Sequence, residues 1–501
     1  MKYNFIETDD LYKTILDINH VCEKDLNDSY DFSVNDEVFL NFKNRLLENK
    51  NKRFLIVGDY DCDGICATTI IKRLFDHLGI KSNHYIPSRL KEGYGLNSSI
   101  VEKARENNFD CLIMVDNGIV ANDEIKLAYS YGIKVFIIDH HEYETLPDCE
   151  AIIHSNIVSK NYRNLSAGGL SFVLSRCFYE DDLSLVLGGL TTLSDMMSVT
   201  QFNRYLLKKM YELVNSIPSL FLLNDGNKIS YHDLSFNVIP KINAVSRMEP
   251  EGNPNYLIRF FNDTEFAKKY ITTLNYLNDQ RKIMTKQMSR TADSLLNKED
   301  DILFVCSKDF KEGLCGLVAN RIMHEYGKPT IVLSDNGNGE LKGSGRGPEG
   351  LNLYEIVKGF DNFIAFGGHE GALGLTLTDN VLSDFKKYLS DIKIENEFTE
   401  DAILLKADSL NEDALKIINE LEPYGTGFKE PLLALRNEGY KKFIVSNRFP
   451  KFTINANLSA ISFNESYKNL NPSVFVGHLE KDSYRPKSLS FKIAEMFEKG
   501  I

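Results

Sequence analysis

Between residues 53 and 160 the chain alternates short apolar runs with longer stretches of helical periodicity. Strands are expected at 53–57, 84–86, 111–115, 134–138 and 151–155, with helices near 67–78, 98–107 and 121–131. Apolar runs without polar alternation read as strands buried on both faces, and helices between them imply a mostly parallel sheet. The run LSLVLGGLTTL at 183–193 reads as a buried helix, too short to cross a bilayer. Residues 255–298 read as long charged helices, and 300–395 as a second, smaller α/β lobe. After about 400 come short segments such as KFIVS, KFTINA, LSAISF and SVFVGHL, whose spacing predicts a small β-barrel. The expected division is a helical segment at 1–50, a parallel-sheet α/β domain at 51–254, a helical connector at 255–298, the smaller α/β domain at 299–397 and the barrel at 398–501.

Composition changes this picture little. A chain of 501 residues exceeds one ordinary core, which agrees with several domains. The opening MKYNFIETDD lacks a signal-peptide core, so a cytoplasmic protein without a membrane segment is expected. Eight scattered cysteines with no CxxC pair read as small buried hydrophobes in a reducing compartment. A net charge of −13 excludes a protein that coats nucleic acid by bulk electrostatics. It leaves room for a site whose positive charge is local.

The chemistry gathers at strand ends. RFLIVGDYDCDG (53–64) ends an apolar run in Asp59, Asp61 and Asp63, and Gly64 is expected to turn the chain into the next helix. Clustered carboxylates repel and lose hydration unless a cation sits between them; oxygen donors suit magnesium and manganese. A solvated acidic turn is the competing reading. The strand CLIMV delivers Asp116 in VDNGI, and VFII delivers Asp139, His140 and His141 in IIDHHE. Ligands of parallel sheets bind beyond these carboxyl ends. His140 suits a cation if Asp139 holds its other ring nitrogen. Asp195, within LGGLTTLSDMMSV, reads as a buried acid that needs a partner, or else as a helix cap. In the smaller lobe, the glycine-rich stretches GSGRG (343–347) and GGHEGALG (367–374) read as loops whose amides approach an anion, with Arg346 and His369 as added donors. Basic and aromatic residues alternate over 436–451, which suits either a single strand of nucleic acid or a lysine-guarded edge strand.

GDYDCDG, VDNGI, DHH and TTLSD, in that order, resemble the motifs of the DHH phosphoesterase superfamily. YIPSRLKEGYGLN (85–97), LSAGGLSF (165–172), NVIPKINAVSRM (237–248) and LNYLNDQRK (274–282) resemble blocks of its RecJ family of single-strand-specific exonucleases. The resemblance runs from about 50 to about 435 and more faintly beyond. It implies a DHH catalytic domain, a DHH-associated substrate-binding domain and an OB-like barrel. It also implies a pair of Mn2+ or Mg2+ ions held by Asp59, Asp61, Asp63, Asp116, His140 and Asp195, with Asp59 allowed a supporting role. His141 would then meet the bridging water or a phosphate oxygen, and Asp139 would orient His140. Arg247, Ser344, Arg346, Gly367, Gly368 and His369 would hold phosphates. The implied activity is release of mononucleotides from the 5′ end of single-stranded DNA in repair, recombination or replication. A monomer is implied, with a single-strand-binding protein or a helicase as partner. Three positions depart from the family pattern: Phe310 and Lys311 stand where a Trp-His pair is usual, Gly347 where serine is usual, and Phe428 where asparagine is usual. Two alternatives remain open. One is a hydrolase of short oligonucleotides, cyclic dinucleotides or pyrophosphate, against which the connector and barrel count. The other is a non-catalytic DNA-binding replication scaffold, against which the complete acid and histidine set counts.

Overall fold

The apolar run at 54–58 forms the pivot of a five-stranded, all-parallel sheet ordered Ser82–Tyr85, Phe54–Gly58, Cys111–Val115, Lys134–Asp139, Ala151–His154. The computed structural model describes residues 2–26, 30, 34–394, 399–482, 485 and 487–498. Every side chain of Phe54–Gly58 and Cys111–Val115 is buried, as continuous apolar runs require when helices cover both faces. The chain leaves Phe54–Gly58 toward one edge of the sheet and returns on its other side at Cys111–Val115. A crevice therefore opens at this reversal, where the two strands deliver Asp59 to Asp63 and Asp116. Phe54 packs edge-on to Phe75 at 5.0 Å and against Phe136 at 5.6 Å, tying sheet to helix.

The first helix begins earlier than its periodicity suggests, running Cys62–Leu78 with Asp61 as N-cap. Gly64 is therefore not a turn but part of the first helical turn. A Cβ there would lie 2.5 Å from the backbone oxygen of Asp59, so close approach, not chain reversal, demands glycine.

The same compact unit, Asp28–Met197 with Phe202–Asn396, holds the smaller lobe. Helices Asn255–Asn262 and Thr264–Leu295 lead into it, the second capped by Asp263. Its sheet is ordered Ala365–His369, Ala372–Thr378, Glu340–Arg346, Thr330–Asp335, Leu303–Ser307, with only the last pair parallel. The expected glycine-rich loops prove to be strands: residues 343–346 lie in Glu340–Arg346, and 367–369 end Ala365–His369. Gly343 faces the neighbouring strand so closely that a Cβ would sit 1.9 Å from the Val332 oxygen.

The second unit joins Met1–Asn27, Ser198–Gln201 and Glu397–Ile501. The helical expectation for 1–50 is corrected here. Lys2–Glu7 is a strand, pairing in parallel with Thr399–Leu405, and among the described residues α-helices follow at Leu11–Ile18 and Glu37–Glu48, with a short 3-10 turn at Glu23–Leu26. The alternation Tyr3, Phe5 packs one face onto Ala402, Leu404 and Val476, a period of two that marks a strand. The unit's sheet has eight strands and ends at Lys441–Val445, with Phe428, Phe452, Phe475 and Phe491 in its core. The expected boundary at 397/398 lies outside the described residues.

Candidate active site

Helix Cys62–Leu78 starts at the acidic strand end, and its first turn sets two carboxylates. Asp61 Oδ1 accepts from the amides of Asp63 (2.9 Å) and Gly64 (3.2 Å), leaving its other oxygen free to turn outward. Asp63 is buried, its oxygens accepting from Ala167 N (2.9 Å) and Gly168 N (2.7 Å) at the start of helix Ala167–Arg176. The block LSAGGLSF thus supplies amides to Asp63, and a Cβ on Gly168 would crowd Asp63 Oδ1 at 2.9 Å. Asp116 follows its strand with φ of 63°, a left-handed conformation that Asp tolerates. Asp195 is the C-cap of helix Asp182–Ser194, with its side chain 28% exposed, so it is neither the fully buried acid nor the mere cap expected.

These groups converge on His140. Its Nε2 lies 3.3 Å from Asp116 Oδ1, 3.3 Å from Asp195 Oδ2 and 3.7 Å from Asp63 Oδ2. Ligand-capable atoms of Asp63, His140 and Asp195 lie within 4.8 Å of one another, and so do those of Asp59, Asp61 and Asp116. The two groupings adjoin through the Asp116–His140 contact.

The expected orientation of His140 by Asp139 is corrected. Asp139 Oδ1 contacts the Nδ1 of His141 at 2.7 Å, and to His140 it offers only acceptance of the backbone N–H at 2.8 Å. Asp139 Oδ2 is fixed by Ile119 N at 3.0 Å. The two rings lie 4.5 Å apart between centroids, and that of His141 is the one that bonds the Asp139 carboxylate. The His141 main-chain oxygen is held in turn by His154 Nε2 at 2.9 Å.

Charge in this cluster is unbalanced. Burial, then the charge of Asp61, pushes Asp63 up to about 7. Burial and the neighbouring Asp63 and Asp61 push Asp195 up to about 8. Burial with neighbouring carboxylates also holds Asp116 and Asp59 well above the usual range. Burial, with His141 beside it, lowers His140 to about 3, so its imidazole is neutral with a free lone pair. Against the opposing effect of burial, the Asp139 hydrogen bond and charge raise His141 to about 9.

Two atoms test whether a cation fits. His140 Nε2 and Asp116 Oδ1 are both buried and face one another, yet neither has a hydrogen-bond partner. Such orphans are costly unless they serve a ligand. A neutral imidazole among carboxylates is a donor set for Mn2+ or Mg2+. The residues fit the ions.

Around the acids stands a cationic group. Burial and the charges of Arg89, Arg281 and Arg346 lower Arg247 to about 9. Arg346, from the smaller lobe, points its guanidinium toward the start of helix Cys315–Tyr326, where a Cβ on Gly316 would meet it at 2.9 Å; Ser344 Oγ is next nearest. His369, at the exposed end of its strand, is lowered by burial and by Arg346. Gly368 has φ of 142° and Gly367 faces open space. Of the departures, Phe310 is buried, Lys311 pairs with Glu251 at 3.5 Å, Gly347 N donates to Gly371 O at 3.0 Å, and Phe428 stacks on Tyr424 in the other unit. In the 436–451 stretch, Lys442 Nζ donates to Leu470 O, Arg448 pairs with Glu465 and Arg436 with Glu7. That leaves Phe443, Ile444 and Val445 exposed on the sheet's last strand.

Sequence reasoning passed over several contributors. Arg89 sits over the Tyr60 ring at 5.0 Å, on a loop tied down by Ser88 Oγ donating to Glu249. Arg281 continues the buried stripe of Leu274, Leu277 and Asn278 on the long helix, a polar residue at an apolar spacing that was legible. Asn243 accepts from Cys62 N at 2.8 Å, and Tyr94 donates to the Asp116 carbonyl at 3.1 Å beside the His141 ring. All four lie in, or next to, the blocks that carried the resemblance.

A parallel sheet with this Asp and His-His set at its switch point matches the DHH pattern. Family models agree: the DHH family N-terminal domain matches residues 53–190, the DHHA1 domain 274–394 and the RecJ OB domain 402–495. The chain carries these three domains and is RecJ-like. It is 28% identical over 448 residues to the single-stranded-DNA-specific exonuclease RecJ of Bacillus subtilis, covering 83% of this chain and 57% of that protein. Against the Escherichia coli protein of the same name it is 28% identical, over 76% of this chain and 74% of the relative. The chain thus spans little more than half the length of the Bacillus subtilis relative. The crystal structure of Thermus thermophilus RecJ in complex with Mn2+ shares the fold, with a TM-score of 0.84 at 19% identity over 100% of this chain and 80% of that one. No described helix is long and apolar enough to cross a membrane.

Proposed function

We propose that this chain is a metal-dependent exonuclease that hydrolyses phosphodiester bonds of single-stranded DNA, releasing mononucleotides from the 5′ end. The observation that carries it is the meeting of Asp63, Asp116 and Asp195 at His140 Nε2, in the same unit as four arginines. Asp59, Asp61, Asp63, Asp116, His140 and Asp195 would hold the cations. When bound, the ions supply Lewis acidity to the scissile phosphate and ease deprotonation of the attacking water. His141, raised to about 9, carries a proton at neutral pH. With Nδ1 committed to Asp139, its Nε2, 3.3 Å from the Tyr94 hydroxyl, would be the nitrogen available to a phosphate or departing oxygen. Arg89, Arg247 and Arg346 bind non-bridging oxygens, and Ser344, Gly367, Gly368 and His369 complete the strand's seat. The arginines place positive charge locally on an otherwise acidic chain, which suits one strand end and not a coated duplex.

The substrate class rests on the RecJ-type relatives and on the OB domain, a fold that binds single strands. A monomeric, cytoplasmic chain with a single-strand-binding protein or helicase as partner belongs to the same reading. Oligonucleotides labelled at the 5′ or the 3′ end, single- or double-stranded, test it with Mn2+ present or chelated. Mononucleotide release from the 5′-labelled single strand, lost on chelation, is expected. Preference for dinucleotides, or no hydrolysis of any phosphodiester, would overturn it.

A further inference from the structure

The acids and arginines account for phosphate chemistry, but none of them addresses a base. The residue after Asp195 is Met196. Helix Asp182–Ser194 closes with Met197 N donating to Thr192 O at 2.9 Å and Met196 N to Leu193 O at 3.4 Å. This is the double bond pattern in which the residue after the cap takes a left-handed conformation and is usually glycine. Here it is Met196, with φ of 52°. A long unbranched side chain is disfavoured in that conformation, and local structure gives no reason for it. Its burial gives none either: Met196 is 73% exposed, the most exposed large apolar side chain among the described residues. An apolar residue at a disfavoured backbone position, one peptide bond from a carboxylate 3.3 Å from His140, is a functional signal where stability argues for another residue. Two further exposed side chains border the same cluster: Tyr94, which donates to the Asp116 carbonyl, and Val120, next to the Ile119 amide that fixes Asp139.

We propose that Met196 is a specificity-determining residue that contacts the face of the unpaired nucleobase beside the scissile phosphate. The inference rests on the exonuclease reading above and adds its base-side contact. A thioether is polarisable and packs against aromatic ring faces without selecting among them, so the contact is sequence-tolerant. A base stacked within a duplex has no free face to offer, which favours unpaired ends.

The test uses the full chain with Mn2+ and two oligonucleotides, one with ordinary 5′-terminal residues and one with abasic residues at those positions. Met196→Gly removes the side chain while relieving the left-handed strain, so its Tm should be no lower than wild type. Wild type should favour the base-bearing end by about tenfold in kcat/KM, carried by KM, within the range of one base contact. In Met196→Gly the ratio should collapse toward one. An unchanged ratio with an active wild type would overturn this inference alone. A wild type inactive on both oligonucleotides would overturn the exonuclease reading and this inference with it.

Discussion

Asp139 and His141 illustrate how little separates a ligand from its neighbour. Apart from main-chain amides, Asp139 bonds the His141 ring, so it acts by holding that ring. Asp139→Asn should therefore lower kcat about 10–100-fold while Mn2+ affinity stays near wild type. Steady-state kinetics beside a metal titration checks this, and parallel loss of metal would contradict it. His140→Ala is expected to lose both. The raised acids give a pH prediction. In the folded, cation-free chain Asp63 and Asp195 lie near 7 and 8, against roughly 4 when unfolded. Groups raised on folding stabilise fully below the unfolded value, and that contribution is lost as pH climbs through the folded one. The Tm of chelated protein should therefore fall from about pH 4 to about pH 8, and saturating Mn2+ should abolish the fall; a rising Tm would contradict the cluster. Asp59 to Asp63, Asp116 and His140 were legible in sequence because each follows an apolar strand, and Asp195 because it closes an apolar helix. Which histidine Asp139 holds was not, since the choice depends on side-chain direction past the strand's last residue.

At the level of elements, glycines do the positioning. Gly64 and Gly168 bring two helix starts against Asp59 and Asp63, and a methyl at either meets backbone or carboxylate inside 3 Å. Gly64→Ala and Gly168→Ala should each cost about 1–3 kcal/mol, read as a drop in Tm, and weaken Mn2+ binding more than surface substitutions do. Wild-type Tm and affinity in either variant would contradict this. The strand–helix alternation of 54–154 was readable because its buried strands lack polar alternation. The glycine stretches at 343–347 and 367–374 misled because glycine usually signals a loop. Here it admits a neighbouring strand, and only cross-strand register reveals that. The strand Lys2–Glu7 was missed for a related reason: its partner, Thr399–Leu405, lies almost four hundred residues away.

Taken whole, the chain is acidic, and Arg89, Arg247, Arg281 and Arg346 gather positive charge locally. Three arginines engaging phosphates, Arg89, Arg247 and Arg346, predict a slope of about −2 in log affinity against log salt for single-stranded DNA. Arg89→Gln should make that slope shallower by about 0.7. Fluorescence anisotropy with the ions kept constant measures both, and a slope near zero would remove the arginines from the strand's path. Carboxylates and an imidazole from four separate segments would together cage a pair of cations. Titration of the cation-free chain with Mn2+, followed by electron paramagnetic resonance, tests this most directly. The expected result is roughly two ions per chain, with binding lost in His140→Ala. No tight binding in wild type, or equal binding in the variant, would contradict it.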